Sequence, residues 1–282
     1  MTLLFSILAI FHTNSLFETT TQSAWSPDGK YIAFAGKQDG NQDIYIANRK
    51  GRKPRRLTNH QAADFSPRWS PDGKWVSFTS MRDGHHEVYI IAANGHQLHR
   101  LTEQPGGGSG AVWSPDGQQL AFTSMRDGNA NIFLINADGS GLKRLTDNGA
   151  MDGAPVWSPD GQQIAFNSNR SGNWDGYILT LITGDVQQVT HGAAHEFIFD
   201  WFPSGDKLVL TTDEFGEETI FTAKTDGSGF TKLTDDHMRH TSPQVSPNGK
   251  WIVCERYEGQ VAKLMMINVK SKKGKALNLV FL

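Results

Sequence analysis

The chain is poor in most of the features that would place it quickly. It has one cysteine in 282 residues, Cys254, so no disulfide can form within it and cysteine usage names no compartment. Long apolar runs are missing: the stretch from Leu3 to Phe11 is too short to span a bilayer. Charge of one sign is missing as well, with 27 basic residues against 29 acidic ones and a formal charge of −2. That balance argues against a nucleic-acid partner. The basic stretch Lys270 to Lys275 reads as a solvated turn. Helical windows are missing too. Ser-Pro-Asp-Gly, Arg-Asp-Gly and Ala-Asp-Gly recur about every ten to twelve residues, too closely for a helix to form between them.

What remains is a repeat. A theme opens at Trp25, Trp69, Trp113, Trp157, Trp201 and Val245, a constant step of 44 residues. Each unit holds two short runs of β-branched and aromatic residues, such as Trp75 to Phe78 and Val88 to Ala92, bounded by turn residues, so these read as strands. Most units close on a Leu-Thr pair or its equivalent, as at Leu57-Thr58, Leu101-Thr102, Leu145-Thr146, Val189-Thr190 and Leu233-Thr234. Four strands per unit follow: A ends at the Trp, B follows Pro-Asp-Gly, C follows Arg-Asp-Gly, and D carries the Leu-Thr. Strands B and C are apolar at successive positions, which requires cover on both faces. One 44-residue sheet cannot bury two faces alone, whereas six stacked around an axis can. The expectation is an all-β, six-bladed β-propeller of four antiparallel strands per blade; an open β-solenoid is the structural alternative. Cys254 falls in the slot filled by Phe34, Phe78, Phe122 and Phe166, and reads as a core thiol.

The propeller is expected over residues 15–282, with the repeat spanning 15–278 and the last strand D at Ala276 to Leu279. Residues 1–14 stand apart, and three readings stay open for them. They have the apolar centre of a secretory signal but no Lys or Arg ahead of it. They could instead add an outer strand to the last blade, or reflect a mis-set start. Export to the periplasm is weakly favoured over a cytoplasmic location.

Chain direction sorts the connections. The A–B and C–D turns share one end of the ring, the turn face. The longer, more varied D–A connections and the B–C turns share the other, the loop face, where binding groups are expected. Five residues before each blade's opening position stand Thr20, Asp64, Gly108, Asp152, Glu196 and His240. Set around a channel mouth, Asp64, Asp152, Glu196 and His240 would form a negative rim suited to a cation or a basic peptide; alternatively an Asp there bonds its own backbone. Arg82, Arg126 and Arg170 share one slot in the B–C turns. They either donate to a partner's carboxylates or pair with a nearby Asp. Trp174, Phe215 and Tyr257 flank this face. His191, His195, His237 and His240 cluster on two neighbouring loops and are candidates for a transition metal, though irregular loops leave their geometry open. No cofactor is expected beyond a cation at the channel mouth. Blades five and six depart from the theme, through irregular end repeats or through function.

Trp-Ser-Pro-Asp-Gly-Lys, Ile-Ala-Phe, Arg-Asp-Gly, Ile-Tyr and Leu-Thr, in six registered copies, resemble the repeat of TolB-type β-propellers. The resemblance implies a six-bladed propeller, often with a periplasmic protein-binding role. TolB proteins carry an α/β domain ahead of the propeller; 14 residues leave no room for one, so a free-standing relative is expected. Similar propellers precede the hydrolase domain of prolyl-oligopeptidase-type peptidases, but no Gly-x-Ser-x-Gly elbow occurs here. Oligogalacturonate lyases are also similar, with a histidine-held metal and an acidic sugar substrate; their His-x-His pair is absent. The preferred reading is a monomeric, non-enzymatic module that recognises a protein or peptide partner, with lyase-like chemistry as the alternative.

Overall fold

The computed structural model describes residues 22–277, apart from 39, 53, 104, 105 and 260. Residues 1–14, Thr20 and the end of the expected last strand D lie outside the described residues. Within them the chain is all strand and turn: strands run from Ser23–Trp25 to Gly274–Ala276 in six four-stranded sheets. Every sheet is an antiparallel meander of four consecutive strands. This is a six-bladed β-propeller. The last strand D covers Gly274–Ala276 rather than starting at Ala276.

The turn chemistry explains why the strands break where they do. In blade two, Ser70 Oγ donates to Asp72 Oδ1 at 2.6 Å and accepts the Trp75 amide at 2.9 Å. Asp72 also accepts the Lys74 amide at 3.0 Å, and Gly73 takes a φ of 70°. A side chain with a Cβ resists that backbone conformation, so glycine is needed to reverse the chain there. Asp28, Asp116 and Asp160 repeat the arrangement, and hydroxyl donation holds each carboxyl below the usual carboxylate range.

The core is distributed among the seams between blades. Ala35, Ile44 and Leu57 pack against Val76, Phe78 and Tyr89 of the next blade. The final seam joins Phe34 and Tyr45 of blade one to Val253, Leu264 and Met266 of blade six, closing the ring. Phe34, Phe78, Phe122 and Phe166 are fully buried, and Cys254 is buried in the same slot of blade six. Indole N–H groups stitch the inner strands: Trp157 and Trp201 donate to the carbonyls of Val112 and Val156 in the preceding blade, both at 3.2 Å.

The Leu-Thr pair has a defined role. Each Thr hydroxyl accepts an amide from strand C of its own blade, as in Thr58 with Ile44 at 3.0 Å and Thr190 with Gly176 at 2.9 Å. In blades one, two and four it also donates inward to a buried carboxylate: Thr58 to Asp43 at 3.3 Å, Thr102 to Glu87, and Thr190 to Asp175 at 3.0 Å. The Thr therefore locks the short outer strand D onto the sheet and, in those three blades, satisfies an otherwise costly buried acid.

Candidate functional site

The loop face forms as expected. Asp64, which begins strand A of blade two (Asp64–Trp69), pairs with Ser80, which ends strand B, so the B–C turn and the D–A connection meet at one end. Asp152 with Ser168, Glu196 with Thr212 and His240 with Arg256 repeat the register.

What these residues do there differs from an open acidic rim. The Asp64 side chain is 0% exposed, and Arg82 of the same blade clamps both its oxygens at 3.1 and 3.0 Å. Asp152 is equally buried; it accepts from Arg170 at 2.9 Å and from Asn148 Nδ2 at 2.6 Å. These two acids are neutralised inside the protein. A negative funnel built on them is corrected accordingly: forked donors from the B–C turns reach them before solvent does. Burial raises the Asp64 pKa above the ordinary value, against the pull of Ser80 and Arg82. Glu196 is buried as well and accepts the Gly192 amide at 3.3 Å; desolvation raises its pKa. His240 is buried with Nδ1 2.8 Å from the Met238 carbonyl, and burial lowers its pKa.

The arginine slot is one construction repeated three times. Arg82, Arg126 and Arg170 each donate through Nε to the Ser ending strand B, at 2.8, 3.0 and 2.9 Å. Each guanidinium lies over two neighbouring aromatic rings that pack on each other: Phe78 and Tyr89, Phe122 and Phe133, or Phe166 and Tyr177. The difference is in the acceptor. Blade three has Gly108 where its neighbours have Asp, so Arg126 meets only the Gly107 carbonyl, at 3.4 Å. Among the described residues Arg126 has no carboxylate partner in salt-bridge reach.

The flanking aromatics divide. Phe215 is 57% exposed in the B–C turn of blade five, stacked on Phe221 at 5.9 Å with the Lys232 ammonium 4.8 Å from its ring centroid. Trp174 is only 7% exposed and packs on Phe197, so it is a core side chain rather than a contact surface. Tyr257 is half-buried and donates to Glu255 at 3.1 Å, with Arg239 over its ring at 4.7 Å. His191, His195 and His237 are exposed, whereas His240 turns inward. Among the described residues no group of three or more His, Cys, Asp or Glu side chains could hold a metal ion.

Three charged residues were not anticipated. Glu255 is fully buried; it accepts from Thr241 at 3.0 Å, and its Oε1 has no partner among the described residues. Desolvation pushes its pKa up to about 8. Arg68 and Asp200 stand on opposite blades, two and five, in the position just before the Trp, and their charges attract each other inside the ring. Asp200 accepts the amides of Trp201 and Val245, both at 2.9 Å, and burial pushes its pKa up to about 6. The signal lay in the repeat itself: the six residues before the opening positions are Ala24, Arg68, Val112, Val156, Asp200 and Gln244, charged only twice.

Sheets meandering outward around an axis, with capped side chains at one end, define the class: a closed β-propeller with a loop face of unequal blades. The sequence profile of the TolB β-propeller domain matches residues 12–111 and 102–280. The chain belongs to the TolB β-propeller family. A TolB-assigned protein from Agrobacterium tumefaciens superposes with a TM-score of 0.75 at 23% identity, over 83% of this chain and 87% of that one. TolB from Acinetobacter baumannii gives 0.77 at 22%, over 91% of this chain and 62% of that one. An oligogalacturonate lyase from Vibrio parahaemolyticus gives 0.58 at 16%, over 89% and 90%. At these identities the structural likeness shows the fold alone. No curated protein sequence matches the chain. Among the described residues no helix is long and apolar enough to cross a membrane.

Proposed function

We propose that the protein is a non-enzymatic recognition module that holds a protein or peptide partner on its loop face. The observation that carries this reading is Arg126. It is aligned by Ser124 and two phenyl rings much as its neighbours are, yet among the described residues it forms no ion pair, Asp127 of its own turn being paired with Arg144. A pre-oriented guanidinium of this kind suits a carboxylate brought by a partner. The exposed Phe215 supplies an aromatic anchor on the same face, a residue type that contributes strongly to protein interfaces. Membership of the TolB propeller family supports a binding role. Lyase-like chemistry is weaker, because Arg82 and Arg170 are already spent on internal acids and the four loop histidines do not converge.

The test is capture on the immobilised chain from an envelope extract of the source cells. Arg126→Glu and Phe215→Ala should each reduce the recovered partner by about tenfold, while Gln118→Ala on the turn face leaves recovery unchanged. Turnover of an acidic oligosaccharide with no protein captured would reverse the reading.

A further inference from the structure

The turn face is repetitive in backbone but not in charge. Six of the eight residues 49–56, Arg-Lys-Gly-Arg-Lys-Pro-Arg-Arg, are basic, a denser run than 270–275. Each run starts just after strand C and reaches into strand D of its blade, at Arg55–Arg56 in blade one and at Gly274–Ala276 in blade six. Ring closure makes those blades neighbours, so two segments far apart in the chain share one seam. In blades two to five the equivalent connections carry exposed apolar residues instead, including Leu98, Leu142, Ile182 and Phe230.

Two cavities open along this sector. One, of about 290 Å³, has Trp25, Trp251 and Met266 in its walls and Arg49, Lys50 and Lys275 around it. The other, of about 870 Å³, has Tyr31, Ile46 and Trp69 in its walls with Arg52 and Arg55. They flank the tight turn at Asp28, which borders both. Arg49, Lys50, Arg52, Arg55 and Lys275 are exposed. None of them is in an ion pair among the described residues, in contrast to Arg56, which is spent on Asp43. A protein of net charge −2 thus concentrates unneutralised cations over an aromatic-walled trough at one pole.

We propose that this trough, crossing the seams between blades six, one and two on the turn face, is a docking site for an extended acidic peptide segment carrying apolar side chains. Carboxylates meet the forked donors of Arg49, Arg52 and Arg55, and apolar side chains enter between Trp25 and Trp251 or beside Tyr31 and Trp69. Asp28 and Asp72 select against a uniformly charged polyphosphate. Both carboxylates border the trough, and a nucleic-acid backbone cannot space its charges to avoid them, whereas a peptide can. This site is separate from the loop face and does not rest on the function proposed there.

The experiment is fluorescence anisotropy with the full chain and a fluorescein-labelled peptide repeating Glu-Ser-Phe, alongside an oligothymidylate of equal charge and vesicles of mixed phosphatidylglycerol and phosphatidylcholine. The peptide should bind at low salt and weaken as salt rises through the screening range. Arg52→Glu with Arg55→Glu, and separately Arg49→Glu with Lys275→Glu, should each weaken it roughly tenfold. These side chains are exposed, so unchanged melting curves will confirm folding. Arg126→Glu should leave peptide binding intact, which separates this site from the loop face. Unchanged affinity in both double variants overturns the proposal, as does equal or tighter binding of the oligothymidylate or the vesicles.

Discussion

At the scale of single residues, the loop face shows how a repeat protein spends its charges. Asp64 and Arg82 form a bidentate pair with the carboxylate fully buried. Removing one partner of such a pair costs far more than the pair itself contributes, because a buried charge is left uncompensated. Arg82→Ala is therefore expected to lower stability by about 3 kcal/mol in denaturant titration, whereas Lys30→Ala, whose partner Asp28 is exposed, should change it by under about 0.5 kcal/mol. Glu255 offers a pH test. Its folded pKa of about 8 lies above the unfolded value, so its contribution to stability is complete below the unfolded pKa. It is lost as pH rises through about 8. Glu255→Gln removes the ionisation, so the variant should gain on the wild type between pH 5 and pH 9, by about 4 kcal/mol. A melting-temperature difference that stays flat across that range would contradict the burial argument.

At the scale of the element, the inner strand of most blades carries a bulge. Register shifts occur within strand A of blades two to six, between Phe65 and Arg68 in blade two for example. In four of these blades the residue at the bulge has positive φ: Ser66 at 55°, Gly110 at 62°, Ala154 at 52° and Ser242 at 51°. The neighbouring blade satisfies the freed amides. Thr79 Oγ1 accepts from Gly110 at 3.0 Å, and Thr123 Oγ1 accepts from Ala154 at 3.1 Å. A left-handed non-glycine residue costs energy that glycine avoids, although glycine also loses more entropy on folding. Ala154→Gly is expected to give a net gain of about 0.5–1 kcal/mol, read as a rise in melting temperature. The 44-residue step predicted this strand, but not its bulge. Periodicity reports which residues are apolar, whereas the bulge comes from fitting the inner strands around a common axis.

At the scale of the whole molecule, closure is the governing fact. Leu210 lies in the seam between blades four and five, and Leu264 in the seam that joins the last blade to the first. Both are almost fully buried. Leu210→Ala and Leu264→Ala should therefore cost similar amounts, about 2–5 kcal/mol each, in a single unfolding transition followed by calorimetry. An open array would lose much less at the terminal seam. Blade number, strand order within each blade and the identity of the loop face were all legible in the chain, because each follows from a local pattern repeated in register. Cys254 in the phenylalanine slot was legible for the same reason. The fate of the charges was only half legible. Arg82 and Arg170 could have reached a partner or an internal acid, and only coordinates place Asp64 and Asp152 beneath them. Trp174 looked like surface and is core.

The sequence by itself determined the repeat, the turn residues and the apolar runs, and through them a closed six-bladed propeller, since short-range chemistry suffices to specify a strand and its reversal. Only the tertiary structure decided which carboxylates are neutralised, that Arg126 forms no ion pair among the described residues, and that the basic turns of the first and last blades lie side by side. Those outcomes depend on distances between side chains remote in the chain, which are set when the ring closes and which no local pattern encodes.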